Sequence, residues 1–174
     1  MNILDSKNLA VLVVDMQDFF LKKLNLEVRK ELISNQQKVV DYCCNNDIKV
    51  IFFEYDAGGV PRGHVTRLLK NSVTTSAKTM TIIKKNNSGF TKTKLDDILK
   101  KLKIKKILIM GVNANGCVQD TSISAIKRGY RVITCNGLIA SSSRSDMNLS
   151  SNNKRWYVKN TKIFDRVDDL FGRI

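Results

Sequence analysis

The sequence predicts an α/β fold in which helices cover both faces of a mostly parallel sheet. Two observations lead to this fold class. Short apolar runs alternate along the chain with segments whose apolar residues recur at helical spacing, which is the pattern of a parallel sheet. The run Leu9–Val14 is apolar at every position, as is typical of a strand covered on both faces. No internal repeat or domain boundary interrupts the pattern, so residues 1–174 are predicted to form one domain.

The elements are predicted from these periods and from the polar turns between them. The predicted strands are Leu9–Val14, 49–53, Thr79–Lys84, 107–110, 131–134 and Lys162–Phe164. The predicted helices are 26–46, 65–69, 93–102, 117–129 and 167–171, with Thr93 as an N-terminal cap and Gly129 as a helix stop. Residues 141–153 are rich in Ser and Asn and are predicted to form a loop, with a hidden helix as the alternative.

The charge of the chain is strongly basic, with 30 Lys and Arg against 16 Asp and Glu and a formal net charge of +14. The densest cluster lies at residues 100–106, and such charge can bind nucleic acid. The cluster lacks interleaved aromatic residues and matches no nucleic-acid-binding motif, and biased codon usage also raises lysine content. We therefore expect no nucleic-acid partner. No apolar run reaches about 18 residues and the N-terminus has no signal-peptide pattern, so we expect no membrane span and a cytoplasmic location.

Cys117 lies where the turn 111–117 joins a predicted strand to a predicted helix. A thiol at that position meets the positive end of the helix dipole and backbone N–H groups, which predicts a favoured thiolate. The alternative is a small buried cysteine. Cys43, Cys44 and Cys135 show neither metal-ligand spacing nor a disulfide pattern.

Chemically useful residues follow several of the predicted strands. Asp15, Glu54, Lys84 and the turn 111–117 all fall at carboxyl ends of strands, where sites gather in parallel sheets. A carboxylate near a lysine can take the proton of a thiol, and backbone N–H groups can stabilise an oxyanion. Each residue also has a purely structural interpretation: Asp15 as a cap, Lys84 as a solvent-exposed strand end and Cys117 as a core residue. Because all three are expected at the same edge of the sheet, we favour a nucleophilic site.

Three sequence blocks carry a resemblance to a known family. They are Val13-Val-Asp15-Met-Gln17 with Phe20, then Lys84 with Ser88-Gly-Phe90, Thr93 and Leu95, and finally Gly111-Val, Cys117-Val, Thr121, Ala125, Gly129-Tyr130 and Val132. In these blocks, which span about residues 9–141 in family order, the sequence resembles the isochorismatase-like hydrolases, also called the cysteine hydrolase superfamily.

The resemblance implies a three-layer α/β/α sandwich and a catalytic triad of Asp15, Lys84 and Cys117. In that family the cysteine attacks a carbonyl or imine-like carbon, and water later releases the acyl enzyme. The resemblance also implies an oxyanion hole formed by the backbone N–H groups of Asn113 and Cys117. It further implies a cis peptide bond between Val112 and Asn113.

Four further positions are candidate substrate-binding residues by the same resemblance, namely Gln17, Phe20, Glu54 and Val112. Lys85 is an alternative to Lys84, but the three-residue gap between Lys84 and Ser88 favours Lys84.

The sequence also departs from parts of the family. Nicotinamidase-like members carry an Asp-x-His metal site with further histidines after the second strand, where this chain offers only Asp56 and His64. We therefore predict no metal and no cofactor. Ser124 occupies a position that is usually aspartate in the family.

The functional prediction is a metal-independent cysteine hydrolase that cleaves an amide or related C–N bond of a small molecule. The alternatives are isochorismate-type vinyl-ether hydrolysis and an inactive family member that serves as a binding or scaffold protein. Family members are commonly homo-oligomers, and we expect one here. The pair Trp156 and Tyr157 fits either an interface or packing against the subunit's own core.

Overall fold

The computed structural model of the protein describes residues 4, 7–56, 58, 62–65, 69, 79–141 and 151–171. The strands in these ranges are β1 (Leu9–Val14), β2 (Lys49–Tyr55), β3 (Thr79–Lys84), β4 (Lys106–Val112), β5 (Arg131–Cys135), β6 (Ile139–Ala140) and β7 (Lys162–Phe164). The helices are α1 (Asp18–Leu21), α2 (Leu26–Asn45), α3 (Leu95–Lys101), α4 (Cys117–Lys127) and α5 (Ser151–Asn160), followed by a 3₁₀ helix (Val167–Leu170).

The sheet is built around β1. Its strand order is β3-β2-β1-β4-β5-β7, with β6 paired to β4, and every strand pair within the described ranges is parallel. Parallel pairing requires each chain segment to cross back over the sheet before the next strand begins. The carboxyl ends of β1, β3 and β4 therefore face the same edge of the sheet.

Two separate cores lie on the two faces of this sheet. Alternate residues of β1 point to opposite faces, so Leu9, Val11 and Val13 belong to one core and Ala10, Leu12 and Val14 to the other. Helix α2 packs on the first core, and α3, α4 and α5 contribute to the second. The predicted α/β fold class, with its three-layer α/β/α sandwich and mostly parallel sheet, is confirmed.

Most predicted elements form at or within about two residues of their expected bounds. The predicted helix 93–102 begins at Leu95 in the structure, and the hydroxyl of Thr93 accepts a hydrogen bond from the N–H of Leu95. Helix α4 starts at Cys117 and ends just before Gly129, which has a φ of +85° as a helix-stop glycine should.

Some expectations were wrong or incomplete. Helix α1 and strand β6 were not predicted, because a four-residue helix and a two-residue strand carry too little periodicity. Helix α5 was not predicted beyond the alternative of a helix within 141–153, of which it takes up only the last three residues. Residues 142–150 of that segment lie outside the described residues. The predicted helix 65–69 falls mainly outside the described residues.

Tyr157 on helix α5 is fully buried in the subunit's own core, and its hydroxyl donates a hydrogen bond of 2.7 Å to the carbonyl oxygen of Ala114. Its ring meets the half-buried Trp156 edge to face. This aromatic pair therefore anchors α5 beside the turn that precedes Cys117, and the homo-oligomer stays a prediction. Across the described ranges, no helix is both long and apolar enough to cross a membrane.

Candidate active site

An ion pair between Asp15 and Lys84 lies at the carboxyl edge of the sheet. Nζ of Lys84 is 2.8 Å from Oδ2 of Asp15, and the two side chains are 0% and 1% exposed. Asp15 leaves β1 with a φ of +53°, and Lys84 is the last residue of β3. Because a buried charge requires a partner, each of these two side chains explains the burial of the other.

The ammonium of Lys84 has two further neighbours. It donates a hydrogen bond of 3.1 Å to the carbonyl oxygen of Asn86, and it lies 4.6 Å from the ring centroid of Tyr55. These contacts fix the direction of the side chain. Lys85, the alternative lysine, is exposed.

Cys117 completes the group at the start of helix α4. Its thiol is near enough to the Asp15 carboxylate for each group to affect the other's pKa, and Sγ lies 4.0 Å from Oδ1 of Asn87, to which it can donate a hydrogen bond. Oδ1 of Asp15 is buried and has no hydrogen-bond partner in the part of the chain that the structure describes. The carboxylate is therefore held by Lys84 through one oxygen while it remains available to the thiol.

The protonation of this group follows from burial and charge. Burial raises the pKa of Asp15 above its usual 3.8, while the charge of Lys84, its hydrogen bond and, least, the nearby Cys117 thiol oppose that rise. Burial and the negative charge of Asp15 raise the pKa of Cys117 to about 12, against the opposing effect of Lys84. The prediction of a favoured thiolate is therefore wrong for the resting site. The thiol keeps its proton, and Asp15 is placed to accept it.

The turn from Gly111 to Cys117 depends on the glycine. Gly111 has a φ of +136°, and a Cβ atom there would collide with the carbonyl oxygen of Val14. After the cis peptide bond between Val112 and Asn113, the carbonyl of Asn113 accepts hydrogen bonds from the N–H groups of Gly116 and Val118. Both predicted oxyanion-hole residues, Asn113 and Cys117, thus belong to one tight turn.

Helix α4 is tied to the segment that follows β3. The N–H of Gly89 donates to Oγ1 of Thr121 at 2.9 Å, and that hydroxyl donates to the carbonyl of Cys117 at 2.7 Å. Ser88 and Ser124 form a hydroxyl–hydroxyl hydrogen bond of 2.8 Å. These bonds couple the placement of the thiol to the placement of Lys84, since Lys84 begins the same segment.

A comparison with protein-family models assigns most of the chain to one family. A model described as an isochorismatase domain matches residues 9–159. The chain belongs to the isochorismatase family. The resemblance drawn from the three sequence blocks is confirmed, and with it the assignment to a family of hydrolases.

Relatives of the chain include proteins with different names. Nicotinamidase 3 of Arabidopsis thaliana is 26% identical over 148 residues, which cover 74% of this chain and 71% of that protein. The N-carbamoylsarcosine amidase of Thermoplasma acidophilum has a TM-score of 0.79 at 23% identity, covering 95% of this chain and 99% of its own. The MAR1 ribonuclease of Caenorhabditis elegans has a TM-score of 0.80 at 22% identity, covering 95% of this chain and 80% of its own. The similarity to these two solved structures shows that they share the fold of this chain.

Two of the predicted substrate-binding residues are engaged by the protein itself. Gln17 is 1% exposed, and its amide nitrogen donates to the carbonyls of Tyr55 and Gly63 while its amide oxygen accepts from the N–H of Tyr55. Glu54 accepts from the N–H of Val65 at 2.9 Å and contacts Nδ1 of His64 at 3.0 Å. Both residues position segment 62–65, and their substrate contact stays a prediction.

The other two predicted substrate-binding residues differ from each other. Val112 is 1% exposed and lines the core behind the turn. Phe20 is half-buried and meets the ring of Tyr55 edge to face, with 6.2 Å between centroids. Phe20 therefore contacts the same Tyr55 ring that lies beside the ammonium of Lys84. Its contact with a substrate stays a prediction.

Arg62 is a residue that the sequence analysis missed. Its guanidinium lies 4.2 Å from the ring centroid of Phe19, 5.7 Å from that of Phe20 and 5.6 Å from that of Tyr55. Its Nε is buried and has no hydrogen-bond partner among the described residues. The only hint in the sequence was an arginine in a glycine-rich loop, and nothing there showed that three aromatic rings would hold it.

The histidine of this segment is on the outside. The side chain of His64 is 83% exposed and Nδ1 faces Glu54. Within the described ranges, no group of three or more His, Cys, Asp and Glu side chains is arranged to hold a metal ion.

Proposed function

We propose that this isochorismatase-family chain hydrolyses an amide-type C–N bond of a small molecule, with Cys117 as the nucleophile and Asp15 as the base. The observation that carries the proposal is the buried Asp15–Lys84 ion pair at 2.8 Å, with Cys117 at the nearby start of helix α4. A thiol with a raised pKa is a weak nucleophile unless a base removes its proton during attack. The carboxylate beside it meets that need.

The first half-reaction forms a thioester. As Sγ of Cys117 attacks the carbonyl carbon, its proton passes to Asp15 and the carbonyl oxygen becomes an oxyanion. The backbone N–H groups of Asn113 and Cys117 are the proposed donors to that oxyanion, an interaction whose loss typically costs about 10²–10³-fold in kcat. The intermediate then collapses, the C–N bond breaks, and the nitrogen leaves as ammonia or an amine with the proton from Asp15.

The second half-reaction restores the enzyme. Asp15, again a carboxylate, takes a proton from water while the water oxygen attacks the thioester carbon. The C–S bond breaks, the carboxylic acid product leaves, and the proton returns from Asp15 to the thiol. Lys84 changes no bond in this scheme. Its ammonium keeps the carboxylate of Asp15 ionised in a buried place and holds it in one orientation.

Arg62 indicates the class of substrate. A half-buried guanidinium beside Tyr55 and Phe20 has its Nε without an acceptor among the described residues, and its planar fork matches a carboxylate. Stacking on aromatic rings holds that fork in place at little entropic cost. We propose that the amide substrate carries a carboxylate or another planar anion that Arg62 binds.

A panel of small amides, with and without a carboxylate, tests the function by ammonia release. We expect turnover by the wild-type chain and by the matched control Cys44→Ser, and none by Cys117→Ser, because only Cys117 adjoins the Asp15–Lys84 pair. Equal ammonia release by Cys117→Ser and wild type would reject the proposed nucleophile. Cleavage of a vinyl ether without any amide turnover would favour the alternative hydrolase.

The pH dependence of kcat/KM should have an acidic limb set by Asp15. The base works only when ionised, and burial raises its pKa, so activity is lost as the pH falls through that raised pKa. We expect the limb at higher pH than the value of about 4 at which an exposed aspartate titrates. The matched control Asp97→Asn, an exposed carboxylate on α3, should leave the limb in place. Activity that stays constant down to pH 4 would contradict this prediction.

Arg62→Met should act on one substrate class only. A hydrogen bond to a charged group contributes about 1.5–3 kcal/mol, so we expect kcat/KM for a carboxylate-bearing amide to fall by roughly 10–150-fold. The neutral amide of the same size should change by less than about threefold, since it loses no charged contact. Steady-state kinetics on the matched pair give the comparison. An equal loss on both substrates would show that Arg62 supports the local structure instead of binding the anion.

A further inference from the structure

The excess positive charge of the chain is concentrated at the sheet edge opposite Cys117. In the described ranges, the segments that lead into β1, β2, β4, β5 and β7 are residues 7–9, 44–49, 100–106, 126–131 and 159–162. We call these five segments the amino edge of the sheet. It holds 12 of the 30 Lys and Arg residues of the chain but only one of its 16 Asp and Glu residues, Asp47. Biased codon usage would spread lysine along the chain and does not account for this distribution.

Sheet pairing brings the central basic segments together. Leu9 pairs with Lys106, and Lys106 pairs with Arg131. The backbone N–H of Lys105 donates to the carbonyl of Asn8 at 2.8 Å. The cluster 100–106, which the sequence analysis considered alone, is thus joined by Lys7 on one side and by residues 127–131 on the other.

A groove of about 480 Å³ lies in the middle of the amino edge. Lys100, Lys103, Lys105 and Arg128 line it, and the buried Tyr130 is at its base. Asp96 is the acidic neighbour, at 2.8 Å from Lys100 and 4.0 Å from Arg128. One carboxylate among four cations leaves the groove strongly positive.

Helix ends explain part of this charge but not all of it. Lys100, Lys101 and Lys127 are in the last turns of α3 and α4, where cations offset the negative end of the helix dipole. Lys103, Lys105 and Arg131 lie in turns or at a strand start, and all three are exposed. These three side chains add positive charge although they do not lie in the last turn of a helix.

We propose that the amino edge binds the phosphodiester backbone of a nucleic acid without reading its bases. Five neighbouring strands spaced about 4.8 Å apart make an edge about 20 Å long, which matches roughly six phosphates at 3.4 Å along one strand of a duplex. The concave groove suits a narrow, ridge-like polyanion better than a flat membrane surface. The edge offers no exposed aromatic ring for base stacking, so binding depends on charge and shape.

This inference does not rest on the proposed amidase activity, because the amino edge and Cys117 are at opposite ends of the strands. Binding is measured by fluorescence anisotropy of a labelled 20-base-pair RNA duplex over a range of salt concentrations. We expect log K to fall linearly with log salt, with a slope on the order of −5 for about six phosphate contacts on a duplex.

The decisive comparison uses two double variants that change the net charge equally. Lys103→Glu with Lys105→Glu alters the amino edge, and Lys30→Glu with Lys38→Glu alters exposed positions on α2. The first should weaken RNA binding by at least about tenfold at 0.15 M salt and reduce the magnitude of the slope by about 1.8. The second should change affinity by less than about threefold. Circular dichroism confirms that both variants are folded.

Three results would overturn the inference. One is equal weakening by both double variants, which would make binding a matter of net charge alone. Another is RNA affinity that does not depend on salt. The last is binding to phosphatidylserine vesicles or to poly-glutamate that is as tight as RNA binding and equally sensitive to the Lys103 and Lys105 changes.

Discussion

Asp15→Asn is expected to lower kcat/KM on the best amide substrate by about 10²–10⁴-fold, the usual contribution of a positioned proton acceptor. The asparagine amide can still accept a hydrogen bond from Lys84 through its oxygen. It cannot take the proton from a thiol whose pKa burial and charge raise to about 12. Steady-state ammonia release, normalised to folded protein, measures the loss.

A control variant must show that the loss of activity is specific to the carboxylate of Asp15. Asp97→Asn removes an exposed carboxylate in the first turn of α3 and should leave kcat/KM within about twofold of wild type. Cys117 in the Asp15→Asn variant should lose the negative charge that raises its pKa, so its alkylation at neutral pH should become faster while turnover falls. Near-normal turnover by a folded Asp15→Asn protein would remove Asp15 from the mechanism.

The main parts of the fold were predictable because strands that are buried on both faces have continuously apolar sequences. The continuous apolar run Leu9–Val14 requires a place in the middle of a covered sheet, and it forms β1, one of the two central strands. Once the strands are parallel, the carboxyl ends of β1, β3 and β4 meet, so Asp15, Lys84 and Cys117 are brought to one edge. The order and direction of the strands are enough to infer that these three residues lie at one edge.

The protonation of Cys117 was not predictable from its position in the chain. The sequence shows a helix start, which lowers a thiol pKa. It does not show how deeply the thiol is desolvated or how near the Asp15 carboxylate comes. Both effects raise the pKa of the thiol in the folded protein, and the charge of Lys84 opposes them.

The roles of Gln17 and Arg62 depend on contacts between distant segments. Gln17 bonds to Tyr55 and Gly63, which are 38 and 46 residues away. Arg62 stacks on rings from α1 and β2. Local sequence patterns carry no information on such contacts, because loop placement is decided by tertiary packing. The same limit hid the concentration of positive charge at the amino edge, which exists only after the strands pair.

Lys84→Met should reduce both stability and activity, whereas Lys85→Met should be mild. Removing one partner of a buried ion pair leaves an uncompensated charge and costs about 3–5 kcal/mol. Lys84 and Asp15 are 0% and 1% exposed, so that cost applies here. Asp15 would then be protonated over a wider pH range, because the opposing charge that keeps it ionised is gone, and turnover should fall with it. Lys85 is exposed and has no such role.

The double variant Asp15→Asn with Lys84→Met separates the two effects. It contains no unpaired buried charge, so denaturant midpoints should recover most of the stability lost in Lys84→Met, while turnover remains as low as in Asp15→Asn. A recovery of both stability and turnover would show that the ion pair serves the fold alone. If Lys85→Met were the more damaging single change, the wrong lysine would have been assigned, since the catalytic ammonium must be the one that contacts Asp15.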